Sequence, residues 1–189
     1  MCVHEPEAKE ALVADYIQAH PDHPAAVKHP ALDGVAEISW ATFPGCPAGV
    51  PALFAGLLDR STGAEALRVL EIVLTDGLFH VSAAMPTALP FLIRLATDSS
   101  VPVRADMAEW VLLIAVLSRP VDENSTPFDV TLNGLDLDHP ERAECRAVFA
   151  EHAAECRTLI DETTEDLFTS ERFDALLAAP AQSPGERSA

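Results

Sequence analysis

A repeated segment constrains this chain more than any other feature of its sequence. Val50, Pro51, Leu53 and Phe54, followed by Asp59 and Ser61, lie over Leu89, Pro90, Leu92 and Ile93, followed by Asp98 and Ser100, at an offset of 39 residues with no gap. Carried forward without a gap, the alignment places Ala66 on Ala105, and Ile72, Val73 and Leu74 on Val111, Leu112 and Leu113. Each copy reads as a proline, an apolar helix, an Asp/Ser turn and a second apolar helix. A period near 40 residues is the spacing of helical hairpins, each of which buries its open face on the next. The expected fold is therefore all-α: a short α-solenoid of about three helical hairpins with an N-terminal capping helix. It forms one domain over residues 1–178, with units near 48–76, 87–118 and 139–178.

The second helices of the repeat carry the strongest core signal. Leu67, Val69, Leu70, Ile72, Val73 and Leu74 surround nearly the whole circumference of one, and Trp110–Leu117 does the same in the other. A helix apolar on all sides is expected between layers, where each such side chain contributes about 1.5–3 kcal/mol on burial. Strand signals are sparse, since aromatic residues are only 6% of the chain and period-two alternation is nearly absent.

The flanking segments read as follows. Glu5–His20 is an amphipathic helix with Leu12, Val13, Tyr16 and Ile17 on one side, ended by the prolines at 21 and 24. A short helix is expected over Ala25–Leu32 and a loop over Trp40–Pro47. Arg119–Asp138 reads as a long irregular connection. Glu141–Asp161 follows as one helix of about five turns, with Ala143, Ala147, Val148, Ala154, Leu159 and Ile160 facing inward. Phe168–Ala178 forms a last helix, and residues 179–189 read as a disordered tail.

Charge excludes several function classes. Twelve Lys and Arg face 30 Asp and Glu, a formal net charge of −18. Such a surface repels phosphate backbones and anionic lipid headgroups, which argues against nucleic-acid and membrane partners. The imbalance is uneven: Met1–Pro120 holds 7 basic and 14 acidic residues, whereas Val121–Asp174 holds 4 and 15. Cys2, Cys46, Cys145 and Cys156 are scattered without a paired motif, as expected of reduced thiols in a cytoplasmic protein. The opening residues lack the basic and apolar regions of a signal peptide, and Trp110–Leu117 is too short to span a bilayer.

The segment from Trp40 through Pro44, Gly45, Cys46, Val50, Pro51 and Leu53, with its echo at Ala88, Leu89, Pro90, Phe91 and Leu92, resembles the HEAT/armadillo-repeat proteins common in actinobacteria. Val103-Arg104 after Asp98 also looks like the Val-Arg of HEAT repeats, whose arginine pairs with turn acids along the stack. The resemblance covers Trp40–Ser118 and implies a HEAT-like solenoid that binds a protein partner. The first copy carries Glu65 where the second carries Arg104, so a continuous arginine ladder is not expected.

Candidate chemical groups are few. His152 and Cys156 stand four apart on one expected helix, but Cys145 lies 11 positions from Cys156, about 16 Å along a helix axis, so the three cannot share a metal ion. Asp138 is placed to cap the helix that begins at Pro140, with Asp136 and His139 beside it. The calcium-loop pattern is absent there. His4, His20, His23 and His29 are separated by prolines and read as an exposed turn. His80 reads as a helix-start residue bonded to backbone, or as a polar contact in a groove. No nucleophile elbow, phosphate loop, dinucleotide fingerprint or His-Glu-x-x-His occurs, and no metal or cofactor is expected.

The expected function is non-catalytic protein binding, possible in one form as an acidic immunity-type inhibitor of a basic partner. Glu141, Glu144, Glu151 and Glu155 form the expected docking stripe. The rival is a small-molecule, lyase-like enzyme on a HEAT-like scaffold, with a pocket around Trp40, Phe43, Phe79 and His80. Acidity has two readings at this point, capture of a basic partner or simple solubility.

Overall fold

A computed structural model describes residues 5–21, 28–77, 79–162 and 169–178. The disordered tail expected over 179–189, the early part of the expected 25–32 helix, Cys2, His4 and His23 lie outside the described residues. The chain is all-α: the only strand-like pairing among the described residues is an isolated bridge between Thr75 and Val81.

Helix α1 (Pro6–Ala19) packs on α2 (Val50–Gly56) and α3 (Gly63–Val73), so it covers the first hairpin. Its inward residues are Lys9, Val13 and Tyr16. Ile17, expected on the same face, is 41% exposed. Close approach depends on Gly56, where an added Cβ would lie 1.8 Å from the Tyr16 hydroxyl. Lys9 is buried as well, and its ammonium donates to Asp76 Oδ1 at 2.6 Å, tying α1 to the end of the hairpin. Between α1 and α2 the chain runs through three 3-10 turns, Pro30–Leu32, Val35–Glu37 and Trp40–Thr42. The first of these replaces the described end of the expected 25–32 helix. The third lies in the stretch expected to be an irregular loop.

The second hairpin joins α4 (Met85–Thr97) to α5 (Arg104–Leu117). Its turn repeats that of the first in atomic detail. Asp59 Oδ1 accepts from the Ser61 backbone N–H at 2.6 Å and hydroxyl at 2.5 Å, and Asp98 Oδ1 accepts from the same two groups of Ser100 at 2.8 and 2.7 Å. The 39-residue offset therefore holds through the first helices and their turns.

Beyond the turns it does not hold. The second copy inserts two residues, so α3 begins at Gly63 and α5 at Arg104, 41 positions later. At that offset Ala66, Val69, Leu70, Val73 and Leu74 pair with Met107, Trp110, Val111, Ile114 and Ala115, and all ten are buried. Leu113 consequently does not match buried Leu74. It is 42% exposed, which corrects the expectation of an apolar helix enclosed on every side. The first helices also differ in length: α4 starts one turn earlier than α2, leaving Pro90 inside the helix where Pro51 sits at the start. A proline at a helix start costs no hydrogen bond, whereas an interior one removes an i→i−4 bond.

After α5 the sequence expectation needs two further corrections. The connection after Ser118 is not irregular throughout, because Pro127–Asn133 forms helix α6, capped by Thr126, whose hydroxyl accepts from the Asp129 N–H at 3.1 Å. The long helix expected over 141–161 is two helices, α7 (Pro140–Glu151) and α8 (Ala153–Glu162), interrupted at His152, which has φ −106° and ψ 27°. Both pack against α4, α7 also meets α5, and α9 (Ser170–Ala178) covers α7 and α8. Helix α4 is thus the hub of the molecule, with α5 against it and α7 and α8 on another side. A continuous core runs from Val13 on α1 to Leu176 on α9.

Candidate functional site

The third unit holds a buried charge cluster that the helix breaks put together. Arg142 and Arg146 lie one turn apart on α7 and project the same way, and both reach Asp136 in the preceding loop. Arg146 Nη2 donates to Asp136 Oδ2 at 2.7 Å and its Nη1 to the Ser118 carbonyl at 2.8 Å. Arg142 Nε faces Asp136 Oδ1 at 3.3 Å, and its Nη2 donates to the Gly134 carbonyl at 3.0 Å. All three side chains are almost out of water. The loop itself is closed by Asp136 and Val121, whose backbones and the Asp136 carboxylate exchange bonds of 2.9 and 3.2 Å.

One carboxylate, Asp136, is in direct contact with both guanidiniums, and Glu141 acts on Arg142 from further off. Arg142 Nη1 has no hydrogen-bond partner among the described residues, and burial pushes the guanidinium below its ordinary pKa, against the pull of Asp136 and Glu141. Arg142 also lines a concavity of about 690 Å3 bounded by α5, α6, α7 and α9. Leu113, Val116 and Leu117 supply an apolar wall, Leu176 closes it from α9, and Arg119 and Arg172 stand at its margin. A volume of this size lies within the usual range for small-molecule sites.

Beside this cluster, His80 stacks on His139 with ring centroids 4.5 Å apart and an 18° interplanar angle. His139 Nδ1 lies 2.9 Å from Glu141 Oε1. Burial, then the neighbouring His139 and Arg142, hold His80 below the ordinary histidine pKa. Its carbonyl accepts from the Asp76 N–H at 2.8 Å, closing the loop between α3 and α4.

The residues singled out in the sequence are distributed as follows. Trp40 is a core side chain, 1% exposed, with its indole N–H donated to the Val35 carbonyl at 3.0 Å and its ring against Phe43 and Phe54. Phe43, Phe79 and His80 are half-buried. None of these four lines the 690 Å3 concavity or a second one, of about 630 Å3, formed by residues 28–37 with Pro51 and Ala55. Glu144 and Glu151 are exposed on α7. Glu141 is turned in toward His139, with a side chain only 14% exposed, and Glu155 lies beyond the break, 3.5 Å from His152. The four glutamates therefore do not form one unbroken helical stripe.

Asp138 is exposed and does not cap α7. His139 holds the N-cap position without a side-chain cap bond, and Asp136, read in the sequence as a neighbour of the cap, is the buried partner of both arginines. Cys46, Cys145 and Cys156 are free thiols in the core. Burial pushes Cys46 up to about 11 and Cys156 up to about 12, and raises Cys145 too, which removes thiolate reactivity. Among the described residues no three His, Cys, Asp or Glu side chains converge as metal ligands, and no helix is long and apolar enough to cross a membrane.

Sequence reasoning missed Arg142 and Arg146 as site residues. The available signal was two arginines four apart at the start of an otherwise acidic helix, the spacing that puts both on one face. Comparisons of the chain with family models, with curated proteins and with solved structures give no match.

Proposed function

We propose that this chain is a cytoplasmic, non-catalytic, HEAT-like helical-repeat module that docks a basic protein through its acid-rich third unit, as a small acidic inhibitor covers a basic toxin. The HEAT-like reading rests on the two hairpins with matching Asp-x-Ser turns and on the Phe54–Phe91 contact between their first helices, 5.7 Å between centroids. The cytoplasmic reading rests on the three buried free thiols.

One observation carries the docking reading. Between residues 121 and 174, nine acids are exposed: Asp122, Glu123, Asp138, Glu144, Glu151, Asp161, Glu162, Glu171 and Asp174. The same stretch has four arginines, but Arg142 and Arg146 are buried on Asp136. Arg157 is occupied by Asp174 at 2.8 Å. Folding withdraws two of the four arginines from the surface against one carboxylate, Asp136, and leaves Arg157 and Arg172 exposed, so the surface of this stretch is more negative than its composition. A field of that sign accelerates capture of a cationic surface and discriminates against acidic ones.

The test is affinity capture from the native cell with the full chain, followed by association kinetics with the purified protein that elutes in salt. A basic partner whose association slows as salt rises supports the proposal. A neutral or acidic partner indifferent to salt overturns it.

A further inference from the structure

Three of the twelve Lys and Arg residues of this −18 chain, Arg119, Arg142 and Arg172, line one concavity. The geometry points to that concavity as a binding site for a small amphipathic monocarboxylate, its apolar body against α5 and its carboxylate toward Arg142. This goes beyond the docking of a basic partner and uses different residues, since a basic surface would be repelled here.

Four observations select that ligand. Arg142 is 1% exposed, carries a buried Nη1 without a hydrogen-bond partner among the described residues, and lines the concavity. A buried donor left unpaired costs free energy that an incoming acceptor recovers. Second, Asp136 is the one carboxylate in ion-pair contact with both guanidiniums among the described residues, and its contacts leave Arg142 Nη1 unused. Third, Asp129 in the wall accepts from the Thr126 hydroxyl at 2.6 Å, and Arg119 Nε donates to the Val116 carbonyl at 3.1 Å. The guanidinium of Arg119 therefore stays near the rim with its remaining donors available to a second carboxylate oxygen. Fourth, Leu113, Val116, Leu117 and Leu176 supply apolar wall for a hydrocarbon body, and Leu113 is 42% exposed between buried Leu112 and Ile114.

The net charge of the molecule sharpens the choice. A dianion such as phosphate meets the repulsion of the whole acidic surface twice over, whereas one carboxylate supplies the acceptor that Arg142 Nη1 lacks among the described residues at half that cost.

The experiment is calorimetric titration of the full chain with octanoate, octanol and inorganic phosphate. Octanoate should bind about tenfold or more tighter than octanol, the margin of one charge-assisted hydrogen bond, and phosphate should neither bind nor compete. Leu113→Glu places a carboxylate on the apolar wall at a half-exposed position. It should weaken octanoate by about tenfold with an unchanged melting temperature. Arg142→Gln should abolish the preference for octanoate over octanol, and if that variant fails to fold, Leu113→Glu alone decides the site. Failure of octanoate to bind, equal affinity for octanol, or undiminished binding by folded Leu113→Glu would overturn the inference. Preference for phosphate over octanoate would overturn the carboxylate assignment.

Discussion

Asp136 and Arg146 form a 2.7 Å hydrogen-bonded ion pair in which both side chains are withdrawn from water, 2% and 6% exposed. The pair joins the loop before α7 to α7 itself, and through the Ser118 carbonyl it reaches the end of α5. Removing one member of such a pair leaves a buried charge without compensation, which costs far more than the pair contributes when intact. Asp136→Ala strands two guanidiniums at once and also removes an acceptor for the Val121 N–H. It should lower unfolding free energy by about 3–5 kcal/mol, read by urea denaturation.

The His80–His139 stack makes stability depend on pH in a stated direction. The folded pKa of His80 lies below its unfolded value, so the unfolded chain takes up the proton first as pH falls. The contribution is therefore complete above about pH 6.5 and is lost as pH drops through that value toward the folded pKa. Asp98, also lowered, titrates from 3.8 downward and stays outside this window. His80→Phe keeps an aromatic ring over His139 and removes the titration. Thermal melts at pH 7 and pH 5 should show a smaller loss of stability for this variant than for the unaltered chain.

The two-residue insertion between copies separates two leucines that look equivalent in sequence. Leu70 is fully buried and pairs with buried Val111, whereas Leu113 faces the concavity. Leu70→Ala should destabilise by about 2–5 kcal/mol, and Leu113→Ala by less than about 1 kcal/mol. Equal losses in denaturant unfolding would contradict the register described for α5.

The apolar periodicity and the Asp59/Ser61 and Asp98/Ser100 pairs made the all-α hairpins legible, because turn chemistry and helix packing are local. An ungapped alignment could not see the two extra residues after Asp98. Nothing in it distinguishes Leu112, which is buried, from Leu113, which is not. The break at His152 was illegible for a different reason: His-Ala-Ala contains no proline or glycine, and α4 packs against the helices on both sides of it. Asp138 looked like the capping residue and Asp136 only like its neighbour, because the partners of Asp136 lie six and ten positions ahead, beyond the reach of any local rule.

Thiol chemistry offers an independent check on the core. With their pKa values raised by burial, Cys46, Cys145 and Cys156 should be nearly inert to a disulfide reagent at neutral pH in the native protein. All three should titrate without prior reduction once the chain is unfolded. Rapid native reaction of Cys145, which has no exposure, would show that the packing of α7 against α4 and α5 opens readily.

The docking proposal makes its sharpest statement at Glu144 and Glu151. Both are exposed on α7, seven positions apart and so on the same side of that helix, before the break at His152. The ion-pair partner of Arg142 and Arg146 is Asp136, and both arginines point into the core, away from these glutamates. Reversing both to Lys changes the local charge by four without touching a buried group, so the melting temperature should stay nearly constant. If the acidic face steers a basic partner, the association rate should fall several-fold on reversal. It should fall similarly for the unaltered chain as ionic strength rises through physiological values, where exposed charges are screened beyond about 8 Å. Stopped-flow association under both treatments separates steering from solubility. Acidity that only keeps the protein in solution would leave the rate unmoved by either one, because neither treatment alters the packed helices on which a non-electrostatic contact would depend.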